Sequence, residues 1–208
     1  MSGQRDSGVR DLGRLAGGAS AYALGDVRRG GRAGAGLPGD VPGVRAGVRS
    51  DAAAERAGRG GQPETFGEED LYPDARTALA KLRDDGLWVG IAGNQTVRAG
   101  GILRSLDLPS DMIATSDDWG VSKPDPGFFR AVVEASPWAA EEILYVGDRL
   151  DNDIKPAAEM GLRTALIRRG PWGIVQQDDP EADRVPTMRI DSLADLPGRV
   201  AEFNAGGR

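Results

Sequence analysis

Asp148, Asp151 and Asp153 crowd the stretch VGDRLDNDI, immediately after the apolar run Ile143, Leu144, Tyr145 and Val146. Like charges at one strand tip repel each other, so they call for a cation or a cationic side chain between them. Asp148 and Asp153 are the pair placed to offer hard oxygen ligands to Mg²⁺, and Asp151 reads as solvent-facing. Two further stretches carry matching groups. In LWVGIAGNQT a strand ends at Gly93 and leads through Asn94, Gln95 and Thr96 into a helix, so free backbone N–H groups there suit an anion. In VSKPDPGFF, Lys123 precedes a proline that holds its backbone extended, so an ammonium sits near a helix entrance, where it can neutralise a phosphate or a carboxylate.

Composition narrows the chemistry. The 208 residues include neither histidine nor cysteine. That removes imidazole and thiolate metal sites, disulfides, and Ser-His or Cys-His catalysis. Carboxylates, Lys, Arg and hydroxyls must do the work. A net charge of −6 argues against a nucleic-acid partner. No apolar run reaches the roughly 18 residues of a membrane span, and no signal-peptide core opens the chain, so the expected setting is the cytoplasm.

The elements that must position these groups lie in the second of two unlike segments. Residues 1–61 hold 16 of the 31 glycines and 10 arginines but no Lys, Ile, Phe, Trp, Thr or Asn. Their only aromatic is Tyr22, which leaves an arginine-rich arm little to stack on nucleic acid. Little of this segment shows strand or helix periodicity, and the expectation is poor packing with a short element over SAYALGDV. The bias is that of a GC-rich gene read out of frame. From Pro63 onward, apolar strand-length runs alternate with amphipathic helices. Helices are predicted over YPDARTALAKLRDDG, TVRAGGILRSLDL, Pro126 to Ala135, NDIKPAAEMG and DSLADLPGRVAEFN. Strands are predicted over Leu87 to Gly93, Met112 to Ala114, a run ending at Val146, and RTALIRR. Alternation of this kind makes a mostly parallel sheet between helical layers, an α/β Rossmann-like three-layer sandwich, with ligands at the carboxyl ends of the strands.

In this order and spacing, YVGDRLDNDIKPAAEMGLRTALI, SKPDPGFF and SLADLPGRV resemble the haloacid dehalogenase-like (HAD) hydrolase superfamily, over roughly Phe66 to Asn204. The resemblance implies a Mg²⁺-dependent hydrolase of small phosphorylated metabolites that works through an aspartyl-phosphate, less often a dehalogenase. Carried over, Lys123 would hold the phosphoryl group and the nucleophile in register, and Asp148 and Asp153 would hold Mg²⁺. Gly93, where the family has Ser or Thr, would contact phosphate through backbone N–H groups together with Asn94 or Thr96. The family's Asp-x-Asp nucleophile after an N-terminal strand has no counterpart. The resulting expectation is an atypical region over residues 1–62 in place of first strand and cap, a core over 63–208, and a gap at the sheet centre that would favour self-association. The alternative function is an inactive scaffold that binds Mg²⁺, phosphate or a partner.

Overall fold

The structure, a computed structural model, describes residues 19–24 and 66–206. The described residues form a six-stranded sheet in the order β3-β2-β1-β4-β5-β6. Its strands are β1 (Ala19–Leu24), β2 (Val89–Gly93), β3 (Met112–Thr115), β4 (Ile143–Gly147), β5 (Arg163–Ile167) and β6 (Met188–Ile190). β2 runs parallel to β3, and β4, β5 and β6 run parallel to one another. β1 is antiparallel to both of its neighbours.

Burial on both faces explains why the strands read as unbroken apolar runs. Side chains alternate with the strand period of two. Val89, Ile91, Leu144, Val146, Ala165 and Ile167 enter one core with Leu79 and Leu82 of α1 (Ala75–Asp84), Leu103 of α2 (Val97–Ser105), and Leu196 and Val200 of α7 (Leu196–Asn204). Ala92, Ile143 and Tyr145 enter the other with Phe128, Phe129 and Val132 of α4 (Pro126–Ala135) and Ala157 of α5 (Lys155–Glu159). The result is the three-layer α/β sandwich.

Local signals set the helix ends. Asp125 caps α4, its side chain accepting from Gly127 N at 2.7 Å, with Pro126 at the first helical position. Of the glycine pair in α2, Gly100 has a packing reason, since a Cβ there would lie 2.8 Å from Thr115 Cγ2, while a Cβ on Gly101 would meet nothing within 4 Å. Three short elements escaped the sequence reading: α3 (Ser116–Trp119), α6 (Gly170–Val175) and β6. No helix among the described residues is long and apolar enough to cross a membrane.

The structure corrects the expected gap at the sheet centre. Ala19–Leu24, overlapping the stretch given a short element, pairs with β2 from Ala19 opposite Gly93 to Ala23 opposite Val89, and with β4 through Leu24 opposite Ile143. Both inner edges are therefore hydrogen-bonded, and the argument for self-association through them falls. The direction of β1 sets its carboxyl end beside the amino end of β4, away from the edge where Asp148 emerges. The rest of the 1–62 expectation, including the out-of-frame origin, lies outside the described residues.

Because β1 is bonded on both sides, a proline at its middle should be costly. Ala21→Pro is expected to destabilise the fold by about 3 kcal/mol or more, comparable to emptying a large core position. Urea denaturation followed by tryptophan fluorescence measures this, and an unchanged midpoint would remove β1 from the sheet.

Candidate active site at the carboxyl edge of the sheet

β4 delivers Asp148 to the carboxyl edge of the sheet, and the chain then coils through a π-helical turn, Leu150–Ile154. Asp153 N and Ile154 N both donate to Arg149 O, at 2.9 and 3.2 Å. Such turns often mark functional sites, and this one folds Asp153 back against the strand end. The approach is so close that a Cβ on Gly147 would lie 2.4 Å from Asp153 Cβ, so only glycine fits there.

Lys123 reaches the same point from the loop between α3 and α4, beside a cis peptide bond to Pro124. Its Nζ donates to Asp153 Oδ1 at 2.6 Å, with the two side chains 1% and 2% exposed. Asp153 Oδ2 accepts from Arg149 N at 3.1 Å. Below the lysine lies a chain of edge-on rings, Trp119, Phe128, Phe129 and Tyr145. The ammonium is 5.8 Å from the Phe128 centroid and 5.9 Å from that of Tyr145, near enough for attraction to their π faces.

Asp148 makes no such pair. Its Oδ2 is shut off from solvent and has no hydrogen-bond partner among the described residues. Burial, then the negative charge of Asp153, pushes its carboxyl up to about 7, against the pull of Lys123. A buried carboxylate oxygen without a donor, beside a second carboxylate, fits a hard divalent cation. No group of three or more acidic side chains that could hold a metal occurs among the described residues. An ion at Asp148 would therefore fill its shell largely with water and ligand oxygens.

The predicted anion loop makes its observed contacts with protein groups. Gly93 ends β2 opposite Thr115. The Asn94 carboxamide clamps the Lys123 backbone, donating from Nδ2 to Lys123 O at 2.9 Å and accepting from Lys123 N at 2.7 Å. Thr96 caps α2, accepting from Ala99 N at 3.1 Å. Gln95 N donates to Ser116 Oγ at 3.1 Å, so that N–H already has a partner. The structure thus brings Asn94, Lys123, Asp148 and Asp153 together, with Asn94 bound to protein backbone and Thr96 at the helix start. Asp118 accepts from Thr115 N at 2.9 Å, a turn-capping role in keeping with its sequence context.

Further side chains complete the rim. The Arg149 guanidinium lies 4.3 Å from the Trp172 ring, and that of Arg169 lies 4.1 Å from the Tyr72 ring. Burial raises the Tyr72 hydroxyl pKa, and the charge of Asp148 adds to the effect, which sets this ring close to the site. Arg169 also pairs with Asp74, whose Oδ2 accepts from Leu193 N at 2.9 Å. Each of these contacts joins segments distant in sequence.

The family model described as haloacid dehalogenase-like hydrolase matches residues 42–161. The chain is similar to the glyceraldehyde 3-phosphate phosphatase of Methanocaldococcus jannaschii, at 35% identity over 60% of this chain and 54% of that protein. It is similar to the phosphoserine phosphatase of Thermus thermophilus, at 30% identity over 61% of this chain and 49% of that protein. The chain spans about half the length of the curated relatives it matches. Among solved structures, the putative haloacid dehalogenase-like hydrolase of Bacteroides fragilis superposes with a TM-score of 0.52 at 27% identity, over 61% of this chain and 59% of that one.

The raised Asp148 value makes stability depend on pH in a defined direction. The folded chain holds this proton more tightly than the unfolded chain, whose carboxyl releases it near 3.8. This group's contribution is therefore complete below about pH 4 and is lost as pH rises through about 7. In chelator, Asp148→Asn should match the wild type near pH 4 and exceed it at pH 8 by on the order of 3 kcal/mol. Urea denaturation at the two pH values checks this, and a difference independent of pH would refute it.

Proposed function

Because the chain belongs to the haloacid dehalogenase-like hydrolase family, we propose that its carboxyl-edge site binds Mg²⁺ and the phosphoryl group of a small phosphorylated metabolite and hydrolyses the phosphate ester. The observation that carries this reading is the buried Asp148 Oδ2 without a donor, beside the buried Lys123–Asp153 pair. The names of the matched phosphatases support the substrate class. The cytoplasm is the proposed setting.

In this reading Asp148 and Asp153 hold the ion, which when bound supplies positive charge to the phosphoryl oxygens. Lys123 holds the phosphoryl group from a second side with its ammonium, a compact charge suited to a tetrahedral anion. Asp153 aims that ammonium through the 2.6 Å contact, and Asn94 fixes the backbone from which it projects. The ring chain beneath keeps water from the lysine stem. In a site so shielded, fixed charges act more strongly on the phosphoryl group than they would in water.

One observation favours a second reading, binding without turnover. Ala19–Leu24 contains no carboxylate, and its carboxyl end lies away from the Asp148 edge. Attack on phosphorus through an aspartyl-phosphate needs a carboxylate at that edge besides the two that would hold the ion.

Hydrolysis of p-nitrophenyl phosphate with Mg²⁺ separates the two. Turnover that falls roughly a hundredfold or more in Asp148→Asn supports the hydrolase. Mg²⁺-dependent phosphate binding by calorimetry, with no turnover above the Asp148→Asn background, supports the scaffold. If neither Mg²⁺ nor phosphate binds, both readings fail.

A further inference from the structure

α6 follows β5 at the carboxyl edge of the sheet and exposes three large apolar side chains, Trp172 at 42%, Ile174 at 60% and Val175 at 72%. Trp172 is the member tied to the site. Arg149, against its ring, is the residue next to Asp148, and Arg149 N donates to Asp153 Oδ2. The indole therefore lies within one arginine side chain of the strand tip.

The arginine is itself held. Arg149 Nη2 donates to Asp151 Oδ2 at 2.7 Å, and Gln176 Nε2 donates to Asp151 Oδ1 at 3.0 Å. Gln176 Oε1 accepts from Leu150 N at 2.8 Å, closing a ring of contacts between α6 and the π-helical turn. Asp151 neutralises the guanidinium, so this rim offers no net charge for a second anion. It offers a half-exposed, fixed aromatic surface. Fixed aromatic rings bind planar π groups by stacking and tolerate variation in which group it is.

We propose that Trp172, held by Arg149, determines leaving-group specificity by stacking on a planar π group, arene or nucleobase, attached to the phosphoryl group. The inference rests on the phosphate-binding reading above and names the substrate class of that same site. It makes Trp172 a specificity residue and Arg149 a positioning residue.

Ligands that resist hydrolysis test it whether or not the chain turns over. The full chain with Mg²⁺ is titrated calorimetrically with methylphosphonate, phenylphosphonate and adenosine 5′-thiophosphate, as wild type, Trp172→Ala and Trp172→Phe. The wild type is expected to prefer phenylphosphonate over methylphosphonate by about tenfold. Trp172→Ala should erase that preference and leave methylphosphonate affinity unchanged, while Trp172→Phe keeps most of it. A larger gain for the adenosine ligand than for phenylphosphonate marks a nucleobase, and the reverse order marks an arene. Equal wild-type affinities for all three ligands would overturn the inference. So would a preference that survives Trp172→Ala, or a loss of methylphosphonate binding in both variants. If no ligand binds the wild type, the phosphate-binding reading fails first and this inference falls with it.

Discussion

The buried ion pair between Lys123 and Asp153 is the constraint around which this end of the molecule is arranged. Removing an ammonium and a carboxylate from water costs several kcal/mol per ion, recovered only when geometry is good and the remaining polar atoms are bonded. The surroundings meet that demand from several directions. Arg149 N serves the second oxygen of Asp153, Asn94 fixes the lysine backbone, and aromatic rings from α4 and β4 face the ammonium. Asp148 is the charge left over, and burial, then the negative charge of Asp153, raises its pKa. A site that binds a cation and an anion together needs such a residual charge, because a fully neutralised cluster would have no reason to bind either.

The sheet must hold these groups at one edge, and it does so with a central strand of unusual direction. β2 and β4 each need a partner along their inner edges, because an unpaired backbone N–H or C=O in the interior costs as much as a lost hydrogen bond. An antiparallel strand satisfies that need as well as a parallel one. Backbone pairing alone therefore does not determine what chemical group the central strand brings to the edge. Here fold and chemistry separate: the ladder is continuous through β1, while the edge beside Asp148 receives the amino end of that strand.

Elements with strong local grammar were readable in the sequence. α4 runs from Pro126 to Ala135 as its capping aspartate, first-turn proline and apolar stripe predict. β2 and β4 were visible as short apolar runs because both of their faces are buried. β6 was not, since three residues, Met188–Ile190, give no periodicity to detect. At the site, Lys123 and the aspartates stand out from their neighbours in sequence, and the structure brings Lys123 and Asp153 into contact. The Asn94 clamp was not, because its partner lies 29 residues away and nothing in GNQT distinguishes a ligand-facing amide from one that braces a loop. The order of β1 was illegible for the same reason: ASAYAL has no charge or turn residue to orient it.

The two halves of the site differ in how tightly stability fixes them, and that difference bears on where specificity can change. Below, Lys123, Asp153 and the rings are buried and mutually dependent, so removing one partner leaves an uncompensated charge, at about 3–5 kcal/mol. Above, the Arg149–Asp151 pair is partly exposed, with side chains 30% and 54% accessible, and Trp172 is half exposed. Such contacts are individually weak, with exposed pairs worth about 0–1 kcal/mol. Lys123 and Asp153, placed to hold phosphate and metal, are thus the groups the fold can least easily exchange. The rim that would meet the rest of a substrate can be replaced with little loss of stability. A site built this way can keep one chemistry while its leaving-group preference varies, because the residues that set the preference contribute little to folding.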